Sequence, residues 1–249
     1  MIPKIIHYCW FGRNPLPESA LKCIESWKKF FPDYEIIEWN EDNFDVNSIP
    51  YTSQAYAAKK YAFVSDYARF KILYDHGGVY FDTDVEVIKP MDSIIERGPF
   101  MGFEIDSNTA KGICGAINPG VGFGTIKHQD FLYQLLDYYK GLRFDVNEGN
   151  KVTTIVTHTT NLFKDYGLSP EEGIQTVAGF TLYPKEYFNP FDDNTGRLKI
   201  THNTYTIHWY SKTWIDTNPL RVKISRLLHR MFGTAIFSRL RKATGLLGR

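Results

Sequence analysis

The chain has 249 residues, of which 43% are hydrophobic and 23% charged, and these globular values exclude a disordered or collagen-like protein. Its net charge of +1 is unevenly spread, because residues 219–249 carry eight Lys or Arg and no Asp or Glu. The rest of the chain carries 21 basic and 28 acidic residues, so a basic segment follows an acidic body. An acidic body without a recognition motif does not favour nucleic-acid binding.

The first elements that the sequence predicts are a strand, a helix and a second strand. Residues 2–8 form an apolar run that is typical of a short buried strand. Residues 17–31 place apolar side chains at helical spacing, and Pro32 ends this helix. Residues 34–39 alternate as a strand would, so the chain opens like a wound α/β sheet.

A long helix is predicted next, over residues 53–75, which contain neither Gly nor Pro. Gly77 and Gly78 follow it, where the left-handed backbone that ends a helix favours glycine. On this helix Asp66 and Arg69 are three residues apart and share a face. Taken alone, the pair is explained by an intrahelical ion pair; a role in ligand binding is the alternative.

Residues 79–87 alternate as a strand, which places Asp82, Asp84 and Glu86 on one face. Carboxylates this close repel one another unless solvent or a cation neutralises them. Mg²⁺ and Mn²⁺ prefer carboxylate oxygens and leave positions for phosphate oxygens, so a cation on Asp82 and Asp84 could neutralise a diphosphate leaving group. The alternative is an exposed acidic strand face, since Asp-X-Asp is a common tripeptide.

The second half of the chain gives weaker signals. Residues 98–124 are rich in glycine and predict turns and short strands, and residues 131–139 predict a helix. Residues 152–164 are ambiguous between strand and helix. Residues 183–196 predict a loop and residues 204–209 a short strand.

Three segments, in the same order, resemble family 32 glycosyltransferases. This family includes yeast initiating mannosyltransferase-like proteins and bacterial capsule and lipopolysaccharide enzymes, and the clostridial glucosylating toxins share a related pattern. Residues 65–84, SDYARFKILYDHGGVYFDTD, resemble its Asp-X-Asp sugar-binding region. Residues 2–12, IPKIIHYCWFG, resemble its first strand, and residues 207–214, IHWYSKTW, resemble its closing His-X-X-X-X-Ser-Trp segment.

The resemblance implies a GT-A fold, a nucleotide-binding α/β/α sandwich, for residues 1–218. It also implies metal-dependent, retaining transfer from a UDP- or GDP-sugar, with Mn²⁺ or Mg²⁺ as the cofactor. By the same resemblance Asp84 is the principal metal ligand, and Asp82 is its partner towards the ribose and the donor sugar. Asp66 and Arg69 contact the donor sugar and its phosphates.

Further site residues follow from the resemblance. Tyr80 lines the cleft, Trp10 stacks on the base, and the backbone near His7 reads the base edge. His208 is a further metal or diphosphate ligand.

The closing segment departs from the family at two positions: Trp209 stands where a second His is frequent, and Thr213 replaces the usual Ser. Trp214 is kept and could cover the donor phosphates. For His7, Trp10 and Trp214, a place in the core is the alternative, and His208 could be a hydrogen-bonded histidine of a half-buried strand.

Residues 219–249 predict a basic amphipathic helical tail, with apolar side chains on one stripe at Leu220, Ile224, Leu227, Leu228 and Met231. Such a helix suits an anionic membrane surface, where lipid-linked saccharide acceptors lie. The alternative is a terminal helix that packs on the acidic body.

The three cysteines are too few and too scattered for a disulfide framework and fit a reducing compartment. With no signal peptide or transmembrane stretch recognised, we expect a cytoplasmic protein, peripheral on the inner face of the membrane.

The sequence therefore predicts a glycosyltransferase that moves a sugar from a nucleotide sugar to a saccharide or lipid-linked saccharide acceptor in cell-surface polysaccharide synthesis. A toxin-like enzyme with a protein acceptor is less favoured, because the chain leaves no room for delivery domains. Two further alternatives remain: a catalytically silent sugar-nucleotide-binding scaffold docked on a membrane, and a metal-dependent sugar-nucleotide hydrolase.

Overall fold

A computed structural model describes residues 1–145, 153–211 and 225–227. Its strands are β1 (Ile5–Cys9), β2 (Glu35–Trp39), β3 (Gly78–Tyr80), β4 (Val85–Val87), β5 (Phe100–Ile105), β6 (Ala116–Thr125), β7 (Gln175–Val177), β8 (Phe180–Tyr183), β9 (Phe191–Asp192), β10 (Arg197–Leu198) and β11 (Thr206–His208). Its helices are α1 (Glu18–Phe30), α2 (Pro50–Ala57), α3 (Tyr61–His76), α4 (Asp92–Ile95), α5 (Asp130–Gly141), α6 (Ile155–Asp165) and α7 (Lys185–Phe188), with one 3₁₀ turn at Thr109–Lys111.

A seven-stranded mixed sheet forms the centre, in the order β2-β1-β3-β6-β5-β8-β7. Strand β1 is parallel to both β2 and β3, whereas β6 is antiparallel to its neighbours β3 and β5. The carboxyl ends of β1, β3 and β5 therefore meet at one edge of the sheet. Open α/β sheets bind their ligands at this edge.

Helices cover both faces of the sheet, so the molecule has three layers. Buried side chains of α3, α5 and α6, such as Phe70, Leu135 and Phe163, pack in one core. A second core joins α1 and α4 to the opposite face through Trp27, Ile94 and other buried side chains. The predicted α/β class and its α/β/α sandwich arrangement are confirmed. The early predictions of β1, α1 and β2 are confirmed as well, and residues 152–164, left ambiguous by the sequence, fall largely in α6.

The predicted helix over residues 53–75 is wrong, because two helices occupy this stretch. Helix α2 ends at Ala57, and α3 begins at Tyr61 after Lys59 takes a positive φ of 57°. The turn closes through a hydrogen bond from Lys60 N to Ala55 O of 2.9 Å. No glycine, proline or Asn marks this break, so the sequence carried no signal for it.

The predicted strand over residues 79–87 is also wrong. Strands β3 and β4 belong to different sheets, and β4 pairs with β11 instead of the central strands. Between them a turn closes through a hydrogen bond from Val85 N to Asp82 O of 3.0 Å. Asp82 and Asp84 therefore lie on a turn, so their approach does not come from the two-residue repeat of a strand.

The glycine-rich residues 98–124 form two central strands, where turns and short strands were predicted. Glycines are needed here because neighbouring rings approach the backbone: a Cβ on Gly102 would lie 2.6 Å from the Phe188 ring, and one on Gly124 would overlap the Phe100 ring. The predicted loop over residues 183–196 likewise contains α7 and β9.

Candidate functional site

The Asp82-Thr83-Asp84 turn lies directly after β3, at the edge where the carboxyl ends of β1, β3 and β5 meet. Its backbone is tied to β6 by a hydrogen bond from Asp82 N to Gly120 O of 3.1 Å. The antiparallel pairing of β11 with β4 sets His208 opposite Val85, immediately after the turn. Sheet topology therefore brings His208 beside Asp84, although nearly half the length of the chain separates them.

Asp84 is held from several sides by the segment that follows β11. Its Oδ1 lies 3.2 Å from His208 Nε2. Its Oδ2 accepts hydrogen bonds from Ser211 N at 2.8 Å and from Ser211 Oγ at 3.1 Å. Trp209 N also donates to the main-chain oxygen of Asp84, at 2.9 Å. The carboxylate is thereby fixed in one orientation.

Asp82, Asp84 and His208 form a group able to hold a metal ion, with one ligand atom from each lying within 4.8 Å of the others. Two carboxylates and an imidazole suit a divalent cation such as Mn²⁺. The Nδ1 atom of His208 is buried and has no hydrogen-bond partner among the described residues, so an imidazole nitrogen remains to be satisfied. The residues present therefore fit the metal that the sequence predicted.

The charges of this group act on one another strongly because the site is buried. Burial opposes ionisation of Asp84, but the positive charge and hydrogen bond of His208, together with Ser211, lower the pKa of Asp84 to about 2. Burial would lower the pKa of His208, yet the negative charges of Asp84, Asp82 and Glu104 raise it overall. A concentration of negative charge therefore surrounds the imidazole.

Arg69 connects helix α3 to the turn. Its Nη1 lies 3.1 Å from Asp82 Oδ1, and its Nη2 lies 3.3 Å from Asp66 Oδ1. The guanidinium is 4.7 Å from the centroid of the Tyr80 ring, whose hydroxyl donates to Asp82 Oδ1 at 3.1 Å. Asp66 and Arg69 thus form the intrahelical ion pair, and the same guanidinium also bonds to Asp82. Burial raises the pKa of Asp66 to about 7, against the opposing charge of Arg69.

Gly120 on β6 makes room for the side chains of Asp82 and Arg69, a role that no sequence pattern indicated. A Cβ at this position would overlap the Asp82 carboxylate and lie 2.9 Å from Arg69 Nη1. Its own N–H donates to Asn118 Oδ1 at 2.7 Å. Close approach of a backbone to a polar cluster is a common reason for glycine in a strand.

His7 and Trp10 differ in their access to the cleft. His7 is fully buried: its Nε2 lies 2.9 Å from Gly77 O, and its Nδ1 accepts from Trp39 Nε1 at 3.0 Å. The His7 imidazole is therefore part of the core, which is the alternative noted above. Only the backbone near His7 could contact a ligand. Trp10 is half-buried just beyond β1, and its Nε1 donates to Asn14 O at 2.6 Å.

Two predicted site residues, Thr213 and Trp214, lie outside the described residues, as does most of the basic tail. Within residues 225–227, Arg226 Nη2 lies 3.0 Å from Asp193 Oδ1, and the guanidinium is 5.4 Å from the Phe191 ring. This contact is of the kind expected if the tail packs on the body. No helix in the described part of the chain is long and apolar enough to cross a bilayer.

The sequence missed four residues that the structure brings to the site: Glu104, Asn118, Tyr210 and Ser211. Tyr210 and Ser211 belong to the closing segment that resembles the family, so their positions after His208 could have indicated them. Glu104 and Asn118 lie within the glycine-rich stretch, where no pattern singled them out.

Residues 17–101 match the family described as the glycosyltransferase sugar-binding region containing a DXD motif. The chain is 26% identical to inositol phosphoceramide mannosyltransferase 1 of Schizosaccharomyces pombe over 207 residues, which cover 76% of this chain and 60% of that protein. It is 29% identical to an uncharacterised glycosyltransferase of Acanthamoeba polyphaga mimivirus over 200 residues, 76% of each chain. It therefore spans only about 60% of the length of the yeast relative.

Among solved structures, the chain is similar to the PaToxG glycosyltransferase, with a TM-score of 0.48 and 20% identity over 66% of this chain and 70% of that one. It is also similar to the galactosyltransferase LgtC, with a TM-score of 0.46 and 14% identity over 84% of this chain and 87% of that one. The matched region and the sequence relatives support the prediction of a glycosyltransferase with a DXD sugar-binding region.

Proposed function

We propose that this protein is a metal-dependent glycosyltransferase that uses a nucleotide sugar as donor and a saccharide or lipid-linked saccharide as acceptor. The observation that carries the proposal is the convergence of Asp82, Asp84 and His208 beside the buried Arg69–Asp66 pair. Carboxylates that can hold a divalent cation, next to a guanidinium, suit a diphosphate. The edge location suits a nucleotide.

In this proposal Asp82, Asp84 and His208 hold Mn²⁺ or Mg²⁺, and the imidazole favours Mn²⁺ because Mg²⁺ prefers an all-oxygen set. When bound, the ion offsets the negative charge that builds on the departing diphosphate. Arg69, fixed by its two carboxylate partners, adds a second positive charge at the phosphate side. Thr213 and Trp214 are assigned to the donor phosphates, and Trp10 to the base.

Asp66 and Asp82 are assigned to hydroxyls of the donor sugar, so that they orient the anomeric carbon by position. We propose transfer with retention of configuration by substitution on the front face, through an oxocarbenium-like state. Capture of a covalent glycosyl-enzyme adduct by mass spectrometry would contradict this choice.

For the biological setting we propose cell-surface polysaccharide synthesis, in the cytoplasm at the inner face of the membrane. The basic segment 219–249 would bring residues 1–218, taken as the catalytic domain, to lipid-linked acceptors. Because the yeast relative is named a mannosyltransferase, mannose is among the donor sugars to test first.

The test is a thermal-shift screen of GDP-mannose and a set of UDP-sugars, each with and without Mn²⁺. A ligand that binds the native state raises the melting temperature by mass action, so a donor should raise it, and more so with the metal. No shift with any donor would favour the silent scaffold. Binding and turnover that no acceptor accelerates would favour the hydrolase.

A further inference from the structure

A polar cluster next to the Asp82-Asp84-His208 group centres on Glu104, near the carboxyl end of β5. Its Oε2 accepts a hydrogen bond from Asn118 Nδ2 at 3.1 Å, and its Oε1 accepts one from the Tyr210 hydroxyl at 3.3 Å. The side chain is half-buried, so its carboxylate also borders solvent. Both partners are neutral donors, and within the described residues no Lys or Arg forms an ion pair with it.

The partners of Glu104 are themselves held in place, so the direction of their hydrogen bonds is defined. The side-chain oxygen of Asn118, Oδ1, accepts a hydrogen bond from Gly120 N at 2.7 Å. Because a main-chain N–H can only donate, this bond fixes the orientation of the side-chain amide and directs its NH₂ group towards Glu104. The Tyr210 hydroxyl accepts a hydrogen bond from Asn189 Nδ2 at 2.6 Å and donates its own hydrogen bond to Glu104 Oε1. The network therefore presents both carboxylate oxygens of Glu104 as hydrogen-bond acceptors.

Two contacts place Glu104 in the same cleft as the candidate metal site. The Tyr210 ring lies 4.1 Å from the His208 ring, centroid to centroid. Tyr210 adopts a positive φ of 51°, a conformation that costs free energy for a tyrosine and persists where surrounding contacts impose it. In addition, Gly120, which supports Asn118, is the residue against which Asp82 packs.

The charge of Glu104 restricts what it can bind. The diphosphate of a donor is anionic and would be repelled by a carboxylate that has no cationic partner among the described residues, whereas sugar hydroxyls are neutral donors that carboxylates bind well. We propose, resting on the function above, that Glu104 accepts a hydrogen bond from a hydroxyl of a saccharide bound in the cleft. That saccharide is either the sugar of the donor or the acceptor.

The test compares Glu104→Gln with the wild type and with Glu35→Gln, a matched change of an exposed carboxylate at the opposite, amino-terminal end of β2. Calorimetry would measure affinity, in Mn²⁺, for the sugar nucleotide found in the screen and for the corresponding nucleoside diphosphate. Transfer and donor hydrolysis would be measured with methyl α-mannoside, methyl β-galactoside and myo-inositol as acceptor probes.

If Glu104 binds the donor sugar, Glu104→Gln should weaken sugar-nucleotide binding about tenfold or more, the usual effect of losing a hydrogen bond to a charged group, and leave nucleoside diphosphate affinity unchanged. If it binds the acceptor, donor affinity should stay unchanged while KM for the acceptor rises by a similar factor. Equal loss of affinity for both nucleotides, or no change in any of these quantities, would overturn the inference. A wild type that binds neither nucleotide would instead overturn the proposed function, and this inference with it.

Discussion

At the scale of single residues, His7 and Asp84 show opposite uses of a polar side chain near one edge of the sheet. Burial lowers the pKa of His7 to about 4, although its hydrogen bond to Gly77 O favours the charged form. His7 is therefore neutral at physiological pH and serves the core. Asp84 is also largely buried, but the His208 imidazole and Ser211 keep it ionised and hold it towards the cleft.

The low pKa of His7 predicts that the protein loses stability in mild acid. The unfolded chain takes up a proton at this residue near its usual pKa of 6.5, whereas the folded protein does so only near 4. The contribution of His7 is therefore complete above pH 6.5 and decreases as the pH falls towards 4, by about 3 kcal/mol in total. Urea unfolding at a series of pH values would measure this slope.

The matched variants for this prediction are His7→Gln and His202→Gln, the second of which changes an exposed imidazole. His7→Gln should flatten the pH dependence of unfolding free energy between pH 6.5 and 4, and His202→Gln should not. Parallel curves for the wild type and His7→Gln would contradict the assignment of His7 to the core.

At the scale of elements, β6 matters because it pairs with β3 and its backbone contacts the Asp82-Thr83-Asp84 turn. Gly120 accepts the Asp82 N–H and leaves space for the Asp82 carboxylate and the Arg69 guanidinium. Asn118, two residues earlier on the same strand, orients Glu104. One strand thus supports both the candidate metal site and the proposed saccharide contact.

Gly120→Ala is expected to displace the Asp82 carboxylate, because its Cβ would occupy that position between two packed elements. Mn²⁺-dependent sugar-nucleotide binding should fall at least tenfold, and the melting temperature should drop by several degrees, as for other overpacked sites. Gly141→Ala is the matched control, since a Cβ there meets no heavy atom within 4 Å. Wild-type donor affinity in Gly120→Ala would show that Asp82 is not held by this contact.

Local patterns predicted the elements whose signals lie within a few residues, such as β1, α1 and β2. The break between α2 and α3 escaped because Lys59 adopts a left-handed backbone without a residue type that marks it. The two glycine-rich strands were not predicted, because their glycines are required by aromatic rings of distant segments that pack against the backbone. Such long-range packing has no local signature.

For the site, the resemblance named residues that the structure brings together, such as Asp82, Asp84 and His208, but the strand geometry predicted for the two aspartates was wrong. Asp82 and Asp84 were placed on one strand face with Glu86, yet they lie on a turn, and Glu86 accepts from Trp209 Nε1 at 2.9 Å instead. The pairing of β11 with β4, which no local pattern indicated, brings His208 to Asp84. The sequence could not indicate Glu104 as a site residue, because its position in the site depends on hydrogen bonds to β6 and to the segment after β11.

At the scale of the whole molecule, the basic tail has two possible surfaces to bind. Arg226 contacts Asp193 and Phe191 of the body, so the acidic body is one of them. Our proposal remains that the tail reaches an anionic membrane, where it would exchange this contact for lipid phosphates. The full chain should sediment with vesicles containing phosphatidylserine, but less with phosphatidylcholine alone or in high salt.

A chain ending at residue 218 is the direct comparison for the tail. It should remain in the supernatant with both kinds of vesicle while its melting temperature changes little. Sedimentation of the shortened chain to the same extent as the full one would refute the membrane role and leave packing on the body as the function of the tail.

The measurement that tests the metal-dependent site most directly is release of nucleoside diphosphate from the identified sugar nucleotide by chelator-treated protein. Adding Mn²⁺ should restore release in the wild type and in Glu86→Gln, whose carboxylate lies outside the Asp82-Asp84-His208 group. Asp84→Asn should be slower by about 100-fold or more while staying folded, since His208 can give up its proton when its partner is lost. Release that persists in chelator, or that Asp84→Asn catalyses at the wild-type rate, would contradict a metal site at Asp82, Asp84 and His208.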